Sequence, residues 1–242
     1  RATLRINIPS TAEIDDSFYP LLGYRIGALA ANNIPVIVGL DRAHPSTDDL
    51  KAFGASFATV SSAPMFHIVG ITPEAPTLAA VTAEGRDIPS TELELDELAQ
   101  AWEELTSADE DRVDLISFGN PHFSLTEIER LAGLCRGRVK HPDVAIVVTC
   151  GRAIYDRARD AGTVAELERF GVQFVTDTCW CMIAEPIIPP FAKTIMTNSG
   201  KYAHYGPGLT GRHFYFGSIA ECVSAASTGV HRKVKPNWMR PD

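Results

Sequence analysis

Apolar residues recur along this chain at two spacings, and the two alternate. Leu4, Ile6 and Ile8 fall every second position among polar neighbours, a strand's period that Pro9-Ser10 closes. From Ser17 to Asn32 the spacing becomes helical through Phe18, Leu21, Leu22, Ile26 and Leu29, with Pro20 acceptable in the first turn. The small Gly23, Gly27, Ala28 and Ala30 on this helix predict close approach to a neighbour. Ile34 to Leu40 is nearly continuous apolar sequence, as in a strand buried on both faces. Ser46 with Asp49 three residues on predicts a capped helix start, with Leu50 and Phe53 turned inward. Met65 to Val69 predicts a strand in which His67 is a satisfied structural histidine. It runs into Gly70-Ile71-Thr72-Pro73-Glu74-Ala75, where Thr72 before Pro73 suits a helix start. That turn is either a plain connection or a ligand contact. Thr82 to Pro89, containing Gly85, reads as loop, and Glu92 to Leu105 as a helix with an acidic, solvated outer face.

The second half repeats the alternation. Val113 to Phe118 predicts a strand ending in Gly119-Asn120-Pro121-His122, after which Ser124 caps a helix carrying Leu125, Ile128, Leu131 and Ala132. Val144 to Thr149 and Val172 to Thr176 predict two more strands, separated by helices over Ala153 to Ala161 and Val164 to Phe170. Phe214-Tyr215-Phe216 predicts a last short strand, and Ser218 caps a helix carrying Ile219, Cys222, Val223 and Ala226. The basic tail from His231, with Pro236 and Pro241, reads as a surface arm over 231–242. Such alternation implies an α/β fold, mostly parallel sheets covered by helices, over residues 1–230 as one region or two α/β subdomains.

One stretch breaks the pattern. Asp177-Thr178-Cys179-Trp180-Cys181, then Lys193, then Thr197-Asn198-Ser199-Gly200-Lys201-Tyr202-Ala203-His204-Tyr205 gather thiols, a carboxylate, hydroxyls, an amide and two lysines into what reads as loop and short elements. Pro186, Pro189 and Pro190 argue against a helix interior or central strand between Cys181 and Lys193. So little apolar periodicity is hard to reconcile with core, and the run is expected to form one wall of an active site. A second polar cluster, Asn120 to His122, lies where a strand's carboxyl end meets a helix N-terminus, the place where open α/β sheets bind ligands. The free N–H groups of such a helix end suit a carboxylate or phosphate. His122 is there either a structural histidine or an acid–base group.

Composition changes this picture little. At 242 residues, 45% hydrophobic and 21% charged, the chain can bury a sizeable core as one large domain or two small ones. A net charge of -8 and a pI near 5.4 argue against a nucleic acid or an anionic membrane surface as partner. No apolar run spans a bilayer, and the expected location is the cytoplasm. The chain opens on Arg1 and enters a strand almost at once, so it is expected to be part of a longer enzyme. Cys135, Cys150, Cys179, Cys181 and Cys222 make no disulfide framework. They are either free thiols or include soft-metal ligands, Cys-x-Cys at 179 and 181 being tighter than the usual knuckle.

The motifs Phe66 to Ala75, Gly119-Asn120-Pro121-His122-Phe123-Ser124, Asp177-Thr178-Cys179, Thr197 to Tyr205 and Ser218 to Cys222, in this order, resemble the aconitase X family from about Leu4 to Gly229. The resemblance covers the later part of that family's large subunit and implies an aconitase-like three-layer architecture. It implies a hydro-lyase holding iron, as an iron-sulfur cluster of two-iron type or as mononuclear iron. Cys179 and Cys222 correspond to ligands, and a third ligand is expected on sequence absent here, together with an N-terminal part and a small swivelling domain or subunit. Cys135, Cys150 and Cys181 are left as bystanders. The implied substrate pocket draws on Thr72, Asn120 and Asn198 for binding and on His122, Ser199 and Lys201 for catalysis. For Cys222 the alternative is an apolar buried thiol, and for Lys201 a solvated charge. Asn120 and the Cys179-Trp180-Cys181 run look more like the bacterial branch that dehydrates the small hydroxy acid cis-3-hydroxy-L-proline to a pyrroline-2-carboxylate. The alternatives are a phosphomevalonate dehydratase of the same family, or a metal-free scaffold domain whose partner supplies the chemistry.

Overall fold

The computed structural model describes residues 2–7, 14–40, 43–83 and 87–239. Ile8, the Pro9-Ser10 stop, Gly85 and Pro241 lie outside the described residues. The chain divides into two compact units, Arg1–Trp102 joined by Lys235–Asp242, and Glu103–Val234.

The first unit runs β1 (Leu4–Asn7), α1 (Phe18–Ala30), β2 (Pro35–Val38), α2 (Thr47–Val60), β3 (His67–Ile68), α3 (Leu78–Val81), β4 (Ser90–Glu92) and α4 (Leu95–Glu104). Its sheet has the order β3-β2-β1-β4 with all pairings parallel. The glycines of α1 act as expected. A Cβ on Gly23 would collide with the Phe53 carbonyl, and one on Gly27 would come within 2.7 Å of the Phe57 carbonyl, so the α1 and α2 backbones lie close together. The Ser46–Asp49 capping box is present at the start of α2. Three expectations are corrected. No helix starts at Pro73, because the Thr72 N–H and hydroxyl both turn back to the Ile68 carbonyl (3.0 and 3.2 Å) and α3 begins only after Thr77. The polar β4 had no apolar alternation to reveal it. His67 is buried, yet its Nδ1 has no hydrogen-bond partner among the described residues.

The tail is also not a free arm. Trp238 is only 8% exposed. Its ring packs edge-on to Phe18, centroids 5.2 Å apart, and its indole N–H is shared between Asp15 Oδ1 (3.2 Å) and Ser17 Oγ (3.1 Å). A large apolar surface with one donor gains more from this seat than from water.

The second unit contains β5 (Leu115–Phe123), α5 (Leu125–Cys135), β6 (Ala145–Cys150), α6 (Arg152–Asp160), α7 (Thr163–Phe170), β7 (Val172–Thr176), β8 (Thr194–Thr197), α8 (Gly200–Thr210), β9 (His213–Phe216) and α9 (Ile219–Thr228). All strands are parallel in the order β7-β6-β5-β8-β9. The strand period of two sorts side chains onto two faces. Ile116, Phe118, Ile146, Val148, Met196 and Tyr215 join residues of α5, α6, α7 and α9, while Leu115, Val147, Ile195 and Phe214 join Trp180, Ile188 and Tyr202. The unit is therefore a three-layer α/β sandwich, in keeping with the expected fold class.

Here the polar run holds the main surprise. It contains β8, buried at all four positions, and the 11-residue helix α8. Gly200, Gly206, Pro207 and Gly208 make α8 a poor helix by propensity. Packing forms it: Tyr202 lies between Trp180 and Phe214, centroids 5.1 Å from each, and Gly206 leaves the space that the Phe214 ring fills. Trp180 and Tyr202 are 1% and 0% exposed, so part of the presumed wall is core.

Candidate active site

The strand order locates a crevice. From β5 the chain steps outward through β6 to β7, then crosses to the other side of β5 to lay down β8 and β9. The carboxyl ends of β5 and β8 are thus a topological switch point, where neighbouring connections leave toward opposite faces and a groove opens. Several of the sequence segments flagged for chemistry end there.

Asn120 comes from the end of β5. Gly119 before it has φ +93°, and a Cβ there would strike the Thr149 carbonyl and lie 2.7 Å from Thr149 Oγ1, so only glycine lets β5 turn against β6 at this point. The Asn120–Pro121 peptide is cis. Ser199, the N-cap of α8, ties the two strand ends together: its hydroxyl donates to the Asn120 carbonyl and accepts the Tyr202 N–H at 3.0 Å. The Asn120 side chain is buried, with Oδ1 4.0 Å from Cys179 Sγ and Nδ2 lacking any partner among the described residues. An orphaned, buried amide donor at the end of β5 is an observation that calls for a ligand.

Cys179 and Cys181 enter from the turn after β7, both half-buried. Cys181 sits beside Cys179 and Asn120. Burial and the Cys179 sulfur push the Cys181 thiol up, and the Lys201 ammonium and Asn120 partly oppose this. Lys201, in the first turn of α8, is therefore close enough to act on the thiol pair. His122 is half-buried, and its Nε2 lies 2.7 Å from the Thr178 carbonyl. A carbonyl only accepts, so Nε2 carries a proton. Asn198 is half-buried between β8 and the Ser199 cap.

Asn120, His122, Cys179, Ser199 and Lys201 are thus gathered at one strand edge. Cys181, read as a bystander, stands with them, and Tyr202 backs them. The clue to Cys181 was its place two residues from Cys179, on a chain too tightly turned to separate the thiols. Two expected contributors, Cys222 and Lys193, lie elsewhere in this unit. Cys222 is wholly buried in the first turn of α9, in the core layer on the other face of the sheet. Thr72 belongs to the first unit, where its hydroxyl accepts the Ile68 N–H at 3.0 Å and donates to the Ile68 carbonyl. Lys193 precedes β8, opposite Lys201, in a cleft of about 230 Å³ with Asp109, Glu110, Thr194 and His213. The carboxylate of Asp177 is also spoken for: it accepts the Arg152 N–H and Nε at 2.8 Å each, which hold it below the usual carboxylate range.

The donor set fits a soft metal at one corner. Two thiols two residues apart are the ligand type a thiophilic ion such as iron takes. Among the described residues no three His, Cys, Asp or Glu side chains converge, so the corner is a partial set of donors.

A doubly wound parallel unit with thiols and polar side chains at its switch point defines a class, an α/β protein with a candidate ligand crevice. The chain belongs to the aconitase X family: residues 2–103 match the model of the aconitase X second domain and residues 113–228 that of the third domain. It is 58% identical over 241 residues to a cis-3-hydroxy-L-proline dehydratase of Hypocrea jecorina, covering 98% of this chain and 40% of the relative. It is 49% identical over 244 residues to the enzyme of the same name from Pseudomonas aeruginosa, covering 100% and 42%. A phosphomevalonate dehydratase large subunit from Methanothermobacter thermautotrophicus is 35% identical over 211 residues, covering 87% and 50%. The holo-form aconitase X of Thermococcus kodakaraensis superposes with a TM-score of 0.80 at 26% identity, over 93% of this chain and 55% of that one. The chain thus spans less than half the length of the two hydroxyproline relatives.

Proposed function

We propose that this chain is the part of a hydro-lyase that converts cis-3-hydroxy-L-proline to a pyrroline-2-carboxylate. The observation that carries the reading is the meeting of Asn120, Cys179, Ser199 and the N-terminus of α8 at the β5/β8 switch point. In the reaction a base takes the proton next to the carboxylate, the ring C–OH bond breaks, and water leaves. Lys201 and the α8 N-terminus hold the substrate carboxylate, a positive end opposite a negative one. The unpaired Asn120 Nδ2–H donates to a substrate oxygen. Ser199, its proton committed to the Asn120 carbonyl, fixes the main chain that carries that amide. His122, fixed through Nε2 on Thr178, is the acid–base group this chain contributes.

Cys179, with its other ligands on the remaining sequence, would hold iron as a two-iron cluster or a single ion. Bound there, iron supplies Lewis acidity toward the leaving hydroxyl. None of the five cysteines is in a disulfide, and no helix among the described residues is long and apolar enough to cross a membrane. Both fit the reducing cytoplasm. Identities of 58% and 49% to the hydroxyproline enzymes against 35% to the phosphomevalonate one favour the former substrate.

The test uses full-length protein purified without oxygen, assayed for iron, acid-labile sulfide and turnover of both substrates. We expect iron in the wild type, loss of iron in Cys179→Ala, and dehydration of the hydroxyproline. No iron, with dehydration undiminished in Cys179→Ala, would sink the iron assignment. Turnover of phosphomevalonate alone would reverse the substrate choice, and inactivity toward both would leave the scaffold reading standing.

A further inference from the structure

The cleft at Lys193 lies at the opposite end of β8 from the crevice. Asp109, Glu110, Lys193, Thr194 and His213 line about 230 Å³ of space, all of them within the second unit. Its two walls are held by hydrogen bonds to the main chain. On one side the Phe214 N–H donates to Ser107 Oγ (3.0 Å), the Ala108 N–H to the Phe214 carbonyl (3.0 Å) and the Tyr215 hydroxyl to the Glu110 carbonyl (3.2 Å). The segment carrying Asp109 and Glu110 is thereby laced to β9. On the other side Asp114 Oδ2 accepts the N–H groups of Lys193 and Thr194, and the His213 N–H donates to the Lys193 carbonyl at 2.9 Å. Walls already fixed need little ordering when a ligand arrives.

The charges on these walls are not matched to each other. Among the described residues the Lys193 ammonium and the His213 imidazole have no hydrogen bond or ion pair, although two carboxylates line the same space. Asp109 instead pairs with Lys233 at 3.4 Å, and no ion pair joins Lys193 to the acidic side. A simple anion drawn to Lys193 would meet the repulsion of Asp109 and Glu110, and a simple cation would meet that of Lys193. A metal ion lacks its donors, since no three His, Cys, Asp or Glu side chains converge among the described residues. A molecule with both charges a few ångströms apart satisfies both walls at once. The volume is below the roughly 300–1,000 Å³ of pockets for drug-sized ligands, which suits a single amino acid. We propose that this cleft binds a small zwitterion of the amino- or imino-acid class, its carboxylate on Lys193 and His213 and its ammonium on Glu110 and Asp109. The ligand would brace the amino end of β8, the strand whose carboxyl end leads to Ser199, without entering the crevice. Nothing in this depends on iron or on the dehydration reaction.

The experiment is calorimetric titration of the full-length protein with L-proline, an imino acid that has no hydroxyl to lose. Cyclopentanecarboxylate keeps the ring and the carboxylate, and pyrrolidine keeps the ring and the cation. L-proline is expected to bind, and each one-charge analogue to bind about tenfold more weakly or worse. Lys193→Met and Glu110→Gln, both at exposed positions, are each expected to weaken proline binding about tenfold, while Lys201→Ala at the crevice leaves it unchanged. Hydrogen exchange places the ligand: proline is expected to slow the peptide carrying Lys193 and Thr194 in the wild type and not in Lys193→Met. Absence of proline binding, binding of either analogue as tight as that of proline, or affinity unchanged by either cleft substitution would overturn the proposal. Loss of binding in Lys201→Ala would overturn it as well, by placing the ligand in the crevice.

Discussion

Asp114 should control how firmly the switch-point strands are held, and replacing it by asparagine tests this in numbers. Its side chain is 3% exposed. Oδ2 accepts the N–H groups of Lys193 (2.8 Å) and Thr194 (3.1 Å), and Oδ1 accepts Arg112 Nε at 2.6 Å. It therefore ties the amino end of β8 to the residue before β5. Asparagine keeps the shape and can keep both main-chain bonds through Oδ1, but they fall from charge-assisted to neutral, a loss of about 1 kcal/mol each. Arg112, with a side chain 60% exposed, swings into water at a further cost of a few tenths. The sum is roughly 2 kcal/mol, which makes amide exchange from β8 about 30-fold faster if β8 opens with its unit. Peptide-resolved hydrogen exchange of β5 and β8, corrected for intrinsic rates, reads this directly. The pH dependence supplies the sign. Burial raises the Asp114 pKa, but the Lys193 and Thr194 N–H groups and Arg112 outweigh it and the net shift is downward. A depressed carboxylate stabilises fully above its unfolded pKa of about 3.9 and loses that stabilisation as pH falls through the folded value. The gap between wild type and Asp114→Asn must therefore narrow from pH 7 to pH 3. A gap that stays constant over that range, or an exchange ratio near one at pH 7, would refute the reasoning.

Other outcomes follow from the same contacts. Lys201→Ala is expected to raise the KM for the hydroxyproline about ten- to a hundred-fold, the worth of one charge-assisted contact, while Lys193→Ala at the opposite end of β8 leaves steady-state kinetics unchanged. Gly119→Ala combines a positive φ with a clash on Thr149, so a loss of about 2 kcal/mol or more is expected in thermal unfolding, with activity falling alongside because Asn120 shifts. Trp238→Ala is expected to cost the first unit about 3 kcal/mol and to speed proteolysis near Phe18, where a surface arm would have left proteolysis unchanged.

The sequence by itself determined the alternation, most strand and helix positions, the capping residues at Ser46, Ser124 and Ser218, and the close α1/α2 approach. These are local or periodic features: a strand's two-residue period and a cap's reach of three residues are complete within a few positions of the chain. Motifs in order also sufficed to mark the family and most of the residues at the crevice. Tertiary structure decided the rest. Nothing local distinguishes the polar run from loop, since α8 is a weak helix held by the Trp180–Tyr202–Phe214 stack and β8 exists because β5 and β9 flank it. Only the strand order puts Ser199 against Asn120, 79 residues apart, and sends Lys193 and Lys201 to opposite ends of one strand. The same packing turned Trp238 from a tail residue into core and separated Cys181, at the crevice, from Cys222, in the core. Spacing records what neighbours in the chain can do. Which distant side chains share a site depends on the topology of the sheet, and a pattern with a range of a few residues does not encode it.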